Sequence, residues 1–169
     1  MEFLPPDIEN YVLLHTTEES PLLKRLNRDT HANVLMPRML SGNLQGRMLA
    51  MISHMIKPKR ILEIGTFTGY SALCMAEGLA ENGKLITIDI NEELEERVRS
   101  YFATSGVNSK IIYHIGNALT IIPELTEIFD IVFIDETNSC EFQVTVLFFG
   151  GIDAPFVMLI GAAQIVTKL

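Results

Sequence analysis

Cysteine is scarce. The 169 residues hold two, Cys74 and Cys140, far apart and in unrelated contexts. That excludes a disulfide ladder or a CxxC pair and makes a reducing, cytoplasmic setting the expectation. Positive charge is also short: 13 Lys+Arg against 21 Asp+Glu leave a formal net charge of −8. Affinity for a phosphate backbone comes from clustered cations, so nucleic acid is not an expected partner. No apolar run approaches the roughly 18 residues that a membrane span requires. The opening Met1-Glu2-Phe3-Leu4-Pro5-Pro6-Asp7 lacks a basic region followed by an apolar stretch, so no signal peptide is expected. Charged residues make up only 20%, against 48% hydrophobic, with a mean hydropathy of +0.26. That balance excludes a disordered chain and suits a buried sheet covered by helices.

Three stretches follow from the patterning. Residues 1–57 read as an N-terminal helical segment packed on the core. Asp7 can cap a helix from Ile8. Ser20-Pro21 joins a hydroxyl cap to a proline at the first helical position. From Gly42, Leu44, Met48, Met51/Ile52 and Met55 recur at helical spacing, with the three methionines expected in the core, and Lys57-Pro58 stops that helix.

Residues 58–135 read as an α/β core. Short apolar strands at Arg60–Gly65, Lys84–Asp89, Lys110–Ile115 and Asp130–Asp135 alternate with helices expected at Tyr70–Ala80, Glu92–Thr104 and Ala118–Ile128. Near-continuous apolar strands are covered on both faces, so the expected fold is an open, mostly parallel, doubly wound sheet. Residues 136–169 form an atypical tail, with candidate strands at Gln143–Phe149 and Phe156–Ile160 broken by Gly150-Gly151. The sheet is expected to be incomplete there. Cys74, among Ala72, Leu73, Met75 and Ala76, reads as a buried inert thiol.

In such a sheet, ligands sit at the carboxyl ends of the strands. The first strand runs into Glu63-Ile64-Gly65-Thr66-Phe67-Thr68-Gly69-Tyr70-Ser71. Gly65 lets the backbone approach a ligand, and Gly69 permits a sharp turn into a helix. The spacing is neither G-x-G-x-x-G nor a Walker loop. Glu63 beside a pyrophosphate repels; beside an α-ammonium it attracts. Asp89, at the end of the second strand, is placed to accept hydrogen bonds from ribose hydroxyls. Asn117-Ala118 can meet an adenine ring, and Asp135 ends the fourth strand. A ligand with an amino-acid end, a ribose and an adenine is S-adenosylmethionine.

The segments Met39-Leu40-Ser41-Gly42, Ile61 to Ser71, Ile88-Asp89-Ile90-Asn91, Gly116-Asn117-Ala118-Leu119 and Phe129 to Asp135 resemble the class I O-methyltransferases of the catechol and caffeoyl-CoA type. The resemblance implies a Rossmann-like methyltransferase fold in an enzyme of a family that often forms homodimers. By it, Met39 and Ser41 flank the cofactor, and Glu63, Gly65, Gly69 and Ser71 hold its methionine part. Asp89 takes the ribose, Asn117 and Ala118 lie at the adenine, and Asp135 contacts cofactor and acceptor as the ligand of a divalent cation, usually Mg²⁺. That cation orients a small catechol-like acceptor for methyl transfer to its hydroxyl oxygen.

The chain departs from the family pattern after Asp135. No lysine follows until Lys168, and no Asp-Asn pair occurs in the tail. Two functions therefore stay open: a metal-assisted O-methyltransferase, or a catalytically impaired fragment that binds S-adenosylmethionine or its demethylated product. An NAD-dependent dehydrogenase fits the fold class but not Glu63 or the glycine spacing.

Overall fold

The computed structural model of the chain describes residues 5–135 and 156–157. Helix α1 spans Pro6–His15 and α2 spans Pro21–Asn33. Ser20 starts α2 as its sequence suggests: the hydroxyl accepts from the Leu23 N–H at 3.3 Å, and Pro21 occupies the first turn. Helix α1 differs from expectation. Its cap residue is Pro5 rather than Asp7, because a second proline, Pro6, already has the helical φ that a first turn needs.

After a 3₁₀ turn at Pro37–Met39 comes α3, Gly42–Ile56. It ends where Lys57-Pro58 predicts, but through a left-handed Lys57 (φ 54°, ψ 54°) rather than an extended one. The methionines of α3 are not in the core. Met48, Met51 and Met55 are 45%, 54% and 77% exposed, while Gly46, Leu49, Ala50 and Ser53 are buried. The reason is close helix packing. A Cβ on Gly46 would lie 2.7 Å from the Tyr70 ring, and the Ser53 hydroxyl donates to the Met75 carbonyl at 2.7 Å. Small residues bring the backbones together and turn the bulkier stripe outward.

The alternating core follows: β1 (Arg60–Ile64), α4 (Tyr70–Ala76), β2 (Lys84–Asp89), α5 (Glu95–Thr104), β3 (Ile111–Ile115), α6 (Ala118–Ile121), β4 (Ile131–Ile134) and β5 (Phe156–Val157). The sheet order is β3-β2-β1-β4-β5, and every pairing is parallel. The fold is thus the open doubly wound α/β sheet expected. Helix lengths are shorter than the periodicity suggests. Helix α4 stops at Ala76 ahead of Gly78, and α6 is one turn followed by a 3₁₀ turn at Ile122–Glu124, where Pro123 cannot continue an α-helical ladder. Of the expected tail strands, Phe156–Val157 is present beside β4; Gln143–Phe149 lies outside the described residues.

Two apolar layers cover the sheet. One gathers Ile61, Leu85, Ile131 and Phe133 with Leu23, Leu26, Leu49, Tyr70, Leu73, Val98 and Phe102. The other gathers Leu62, Ile64, Ile86, Ile88 and Ile134 with Ala118. Each fully buried side chain of this size contributes about 1.5–3 kcal/mol relative to exposure. Cys74 is fully buried in the first layer, and burial pushes its thiol up to about 12, which leaves it protonated and inert.

The α3–α4 approach has no slack. A Cβ on Gly78 would fall 2.3 Å from the His54 nitrogen and 2.3 Å from the Ser53 carbonyl carbon, both backbone atoms. Gly78→Ala is expected to cost about 3 kcal/mol, the upper end for overpacking, because backbone cannot rotate away as a side chain can. A thermal melt followed by circular dichroism should show a drop of several degrees. An unchanged midpoint would mean that α3 and α4 are free to separate.

Candidate active site

Strand β1 is flanked by β2 on one side and β4 on the other, so the chain reverses its direction of winding at β1. The carboxyl ends of the strands at this reversal are where an open sheet leaves a crevice. Met39, Leu40, Ser41, Gly65, Thr66, Phe67, Thr68, Tyr70, Ser71 and Asp135 line an open cleft there.

The loop from β1 to α4 shapes this cleft. Gly65 (φ 96°) and Gly69 (φ 86°) take left-handed backbone that glycine adopts without strain. Phe67 takes it too (φ 49°), without that freedom. Asp89 holds it there: its carboxylate accepts from the Phe67 N–H at 2.6 Å and from the Asn91 N–H at 2.8 Å. A carboxylate has about four lone-pair positions, so each oxygen keeps one for a ligand hydroxyl. Gly69 also lies against α5, where a Cβ would meet Phe102 at 2.7 Å.

Glu63 lies behind the cleft wall and is fully buried. Its two oxygens accept from the Ser71 and Thr87 hydroxyls, each at 2.6 Å. Burial raises its carboxyl to about 8 despite those two bonds, and the neighbouring charges of Asp135 and Asp89 push the same way. Asp135 is half-buried at the end of β4. Burial also raises its carboxyl above the usual carboxylate range, opposed by a hydrogen bond from Ser41. Asn117 caps α6 by accepting from the Leu119 N–H at 2.9 Å, and Ala118 is buried beneath β1 and β2. The Gly116 N–H donates to the Asp89 carbonyl at 2.8 Å and ties this corner to β2.

Met39, Ser41, Gly65, Ser71 and Asp135 therefore share one cleft wall, with Glu63, Gly69 and Asp89 directly behind it. Asn117 and Ala118 stand one strand further out. The side chains of Thr66, Thr68 and Thr87 escaped the sequence reading. So did the N-terminal ties to this loop: Thr30 donates to Thr68 at 3.2 Å, and the Tyr70 hydroxyl donates to Glu19 at 2.5 Å. Asp29 of α2 accepts from Arg97 and Tyr101 of α5. A signal for Thr87 existed, since a polar residue within Leu85-Ile86-Thr87-Ile88 needs a buried partner, and Glu63 is its register neighbour on β1.

The ion pairs among the described residues are Lys24–Glu18, Arg47–Glu77, Arg97–Asp29 and Arg99–Glu95. None involves Glu63, Asp89 or Asp135. Three acids from three adjacent strands thus gather at one cleft, Asp135 lining it and Glu63 and Asp89 behind its wall, without a basic partner among the described residues.

A family model of O-methyltransferases matches residues 14–145. The chain belongs to the O-methyltransferase family. A catechol O-methyltransferase of Niastella koreensis is 33% identical over 122 residues, which is 70% of this chain and 54% of that protein. A caffeoyl-CoA O-methyltransferase of Stellaria longipes is 34% identical over 107 residues, covering 63% and 44%. Among solved structures, the O-methyltransferase TomG of Streptomyces achromogenes, in complex with SAM, superposes with a TM-score of 0.71 at 31% identity over 77% of this chain and 60% of that one. An SAH-bound methyltransferase of Podospora anserina gives 0.73 at 26% identity over 80% and 61%. The chain spans about half the length of the curated relatives it matches.

This O-methyltransferase family member does not assemble a metal site from its described residues. No group of three His, Cys, Asp or Glu side chains with metal-ligating geometry occurs among them. Asp135 is one carboxylate, and Mg²⁺ requires near-octahedral oxygen ligation. Among the described residues, no helix is long and apolar enough to cross a membrane.

Proposed function

We propose that the chain binds S-adenosylmethionine in the β1–β2–β4 cleft and transfers its methyl group to a hydroxyl oxygen of a small, catechol-like acceptor. One observation carries this reading: Glu63, Asp89 and Asp135 converge without a basic partner among the described residues. A dinucleotide brings its pyrophosphate against that wall and is repelled. A ligand with an α-ammonium and a sulfonium is attracted. Asp89 keeps lone pairs for two ribose hydroxyls, and Ser41 and Asp135 face the mouth of the cleft where an acceptor enters.

In the transfer a carbon–oxygen bond forms as the carbon–sulfur bond breaks. The electron pair passes to sulfur, which leaves a neutral thioether, and the hydroxyl proton passes to solvent or a base. Holding oxygen, methyl and sulfur in line supplies much of the rate. The family resemblance implies a divalent cation at Asp135, but no Asp-Asn pair follows that residue to complete its ligands. The exposed stripe of Leu44, Met48, Met51 and Met55 supports a second copy of the chain as partner, and the net charge of −8 argues against nucleic acid.

The test is methyl transfer to catechol with Mg²⁺ present and then chelated. Product that disappears with chelator supports the metal-assisted reaction. S-adenosylhomocysteine binding without any transfer would instead identify the impaired binding fragment.

A further inference from the structure

Glu63 has no direct opening to the cleft, yet it sits at the centre of a buried chain of hydroxyls. Ser71 donates to one of its oxygens and Thr87 to the other, each at 2.6 Å, and the Thr66 and Thr87 oxygens are 2.5 Å apart. All four residues are 4% exposed or less. A hydroxyl has one proton to give. With Glu63 ionised, the directions are fixed: Thr66 donates to Thr87, Thr87 to Glu63, and Ser71 to Glu63. Ser71 then turns lone pairs toward the cleft, where an ammonium group can donate to them. With Glu63 protonated, one neighbouring hydroxyl must reverse, and Ser71 can aim its hydrogen outward instead.

We propose that Thr87 is a positioning residue for the cofactor: its hydroxyl locks Glu63 as the acceptor of two donors and so presents Ser71 to the cleft as an acceptor matched to a cationic ligand. Thr87 touches no ligand itself. It lies in the middle of β2, paired in register with Glu63, on the face packed under α4. Its place in an otherwise apolar strand follows from these hydroxyl bonds and not from packing, since valine fills the same space. Thr66 completes the chain from the cleft wall.

This inference rests on the proposed cofactor. Among the described residues, the charged groups facing Glu63 are Asp89 from β2 and Asp135 from β4, both of which disfavour its ionisation, and the neutral Cys74 of α4 and Tyr113 of β3 are the other titratable groups near it. Ligand affinity should therefore rise with pH as Glu63 ionises.

The experiment measures S-adenosylmethionine and S-adenosylhomocysteine binding by titration calorimetry from pH 6 to 9 for the full chain, Thr87→Val and Thr87→Ser. The ligand's own titration is common to all three proteins, so the difference between them reports Glu63. Thr87→Val is expected to move the affinity midpoint up by about one pH unit and so weaken binding roughly fivefold at pH 8, and Thr87→Ser should restore both. If Thr87→Val does not fold, Thr87→Ala carries the same comparison. A normal midpoint in the folded valine or alanine variant overturns the assignment and leaves the cofactor reading standing. No binding of either ligand by the unaltered chain overturns both.

Discussion

Glu63→Gln is expected to make the ligand-free protein more stable at pH 8 while weakening cofactor binding at least tenfold. The carboxyl of Glu63 is raised to about 8 in the folded protein and has its ordinary value, near 4.5, when unfolded. Below pH 4.5 both states hold the proton and the group is neutral to stability. Between pH 4.5 and 8 the unfolded chain releases it while the folded chain does not. Stability therefore falls as pH rises through that window, by on the order of 5 kcal/mol, and levels off above it. Glutamine removes this slope. Its amide can accept from one of Ser71 and Thr87 and donate to the other, so the buried hydroxyls stay paired. What glutamine cannot supply is the negative charge that draws a cation. Chemical denaturation at pH 5 and pH 8, set beside calorimetric affinities, checks both halves. A parent chain whose stability is flat across the window would mean that Glu63 is already ionised without ligand. Asp135 is displaced in the same direction and retains its own slope in the variant.

Asp89→Ala is expected to lower affinity for S-adenosylhomocysteine by about a hundredfold or more. The side chain accepts from the Phe67 and Asn91 N–H groups and offers its remaining lone pairs to the ribose. Hydrogen bonds to a charged group contribute about 1.5–3 kcal/mol each, and two ribose contacts are lost together. The loop suffers as well, because Phe67 at φ 49° loses the acceptor that holds it in a left-handed conformation. Asp89→Asn keeps one oxygen acceptor and should lose less. Equilibrium binding of both variants gives the comparison. Equal affinities for the parent chain and Asp89→Ala would remove the ribose from this corner. An acid at this position also suits NAD, so this variant tests the location of the nucleoside, while Glu63→Gln tests the charge of the ligand.

The fold was largely legible because strand and helix signals in residues 58–135 agree with each other. Apolar strands of four to six residues, glycines at Gly65 and Gly69, and short loops leave little room for another topology. The methionines of α3 misled because periodicity identifies a face but not which face is inside. Gly46, Gly78 and Ser53 decide that by letting α4 approach, and a glycine carries no hydropathy signal. Helix α6 was overestimated because apolar residues continue past Pro123.

The cleft residues were legible at strand ends, where Glu63, Asp89 and Asp135 interrupt apolar runs. Their division of labour was not. Glu63 reads as a group beside the ligand, whereas the structure seats it behind Ser71 with both oxygens engaged. The link to Thr87 depends on strand register, and the links from Thr30 and Glu19 depend on how the N-terminal helices dock. Neither is written in local sequence.

The central claim is that an acidic cleft at the ends of β1, β2 and β4 receives a cationic nucleoside. Titration calorimetry of the full chain with S-adenosylmethionine at pH 8, repeated with NAD present, tests it most directly. The account predicts saturable one-to-one binding that an excess of NAD leaves unchanged. Absence of saturable binding, or displacement of the ligand by NAD, contradicts it.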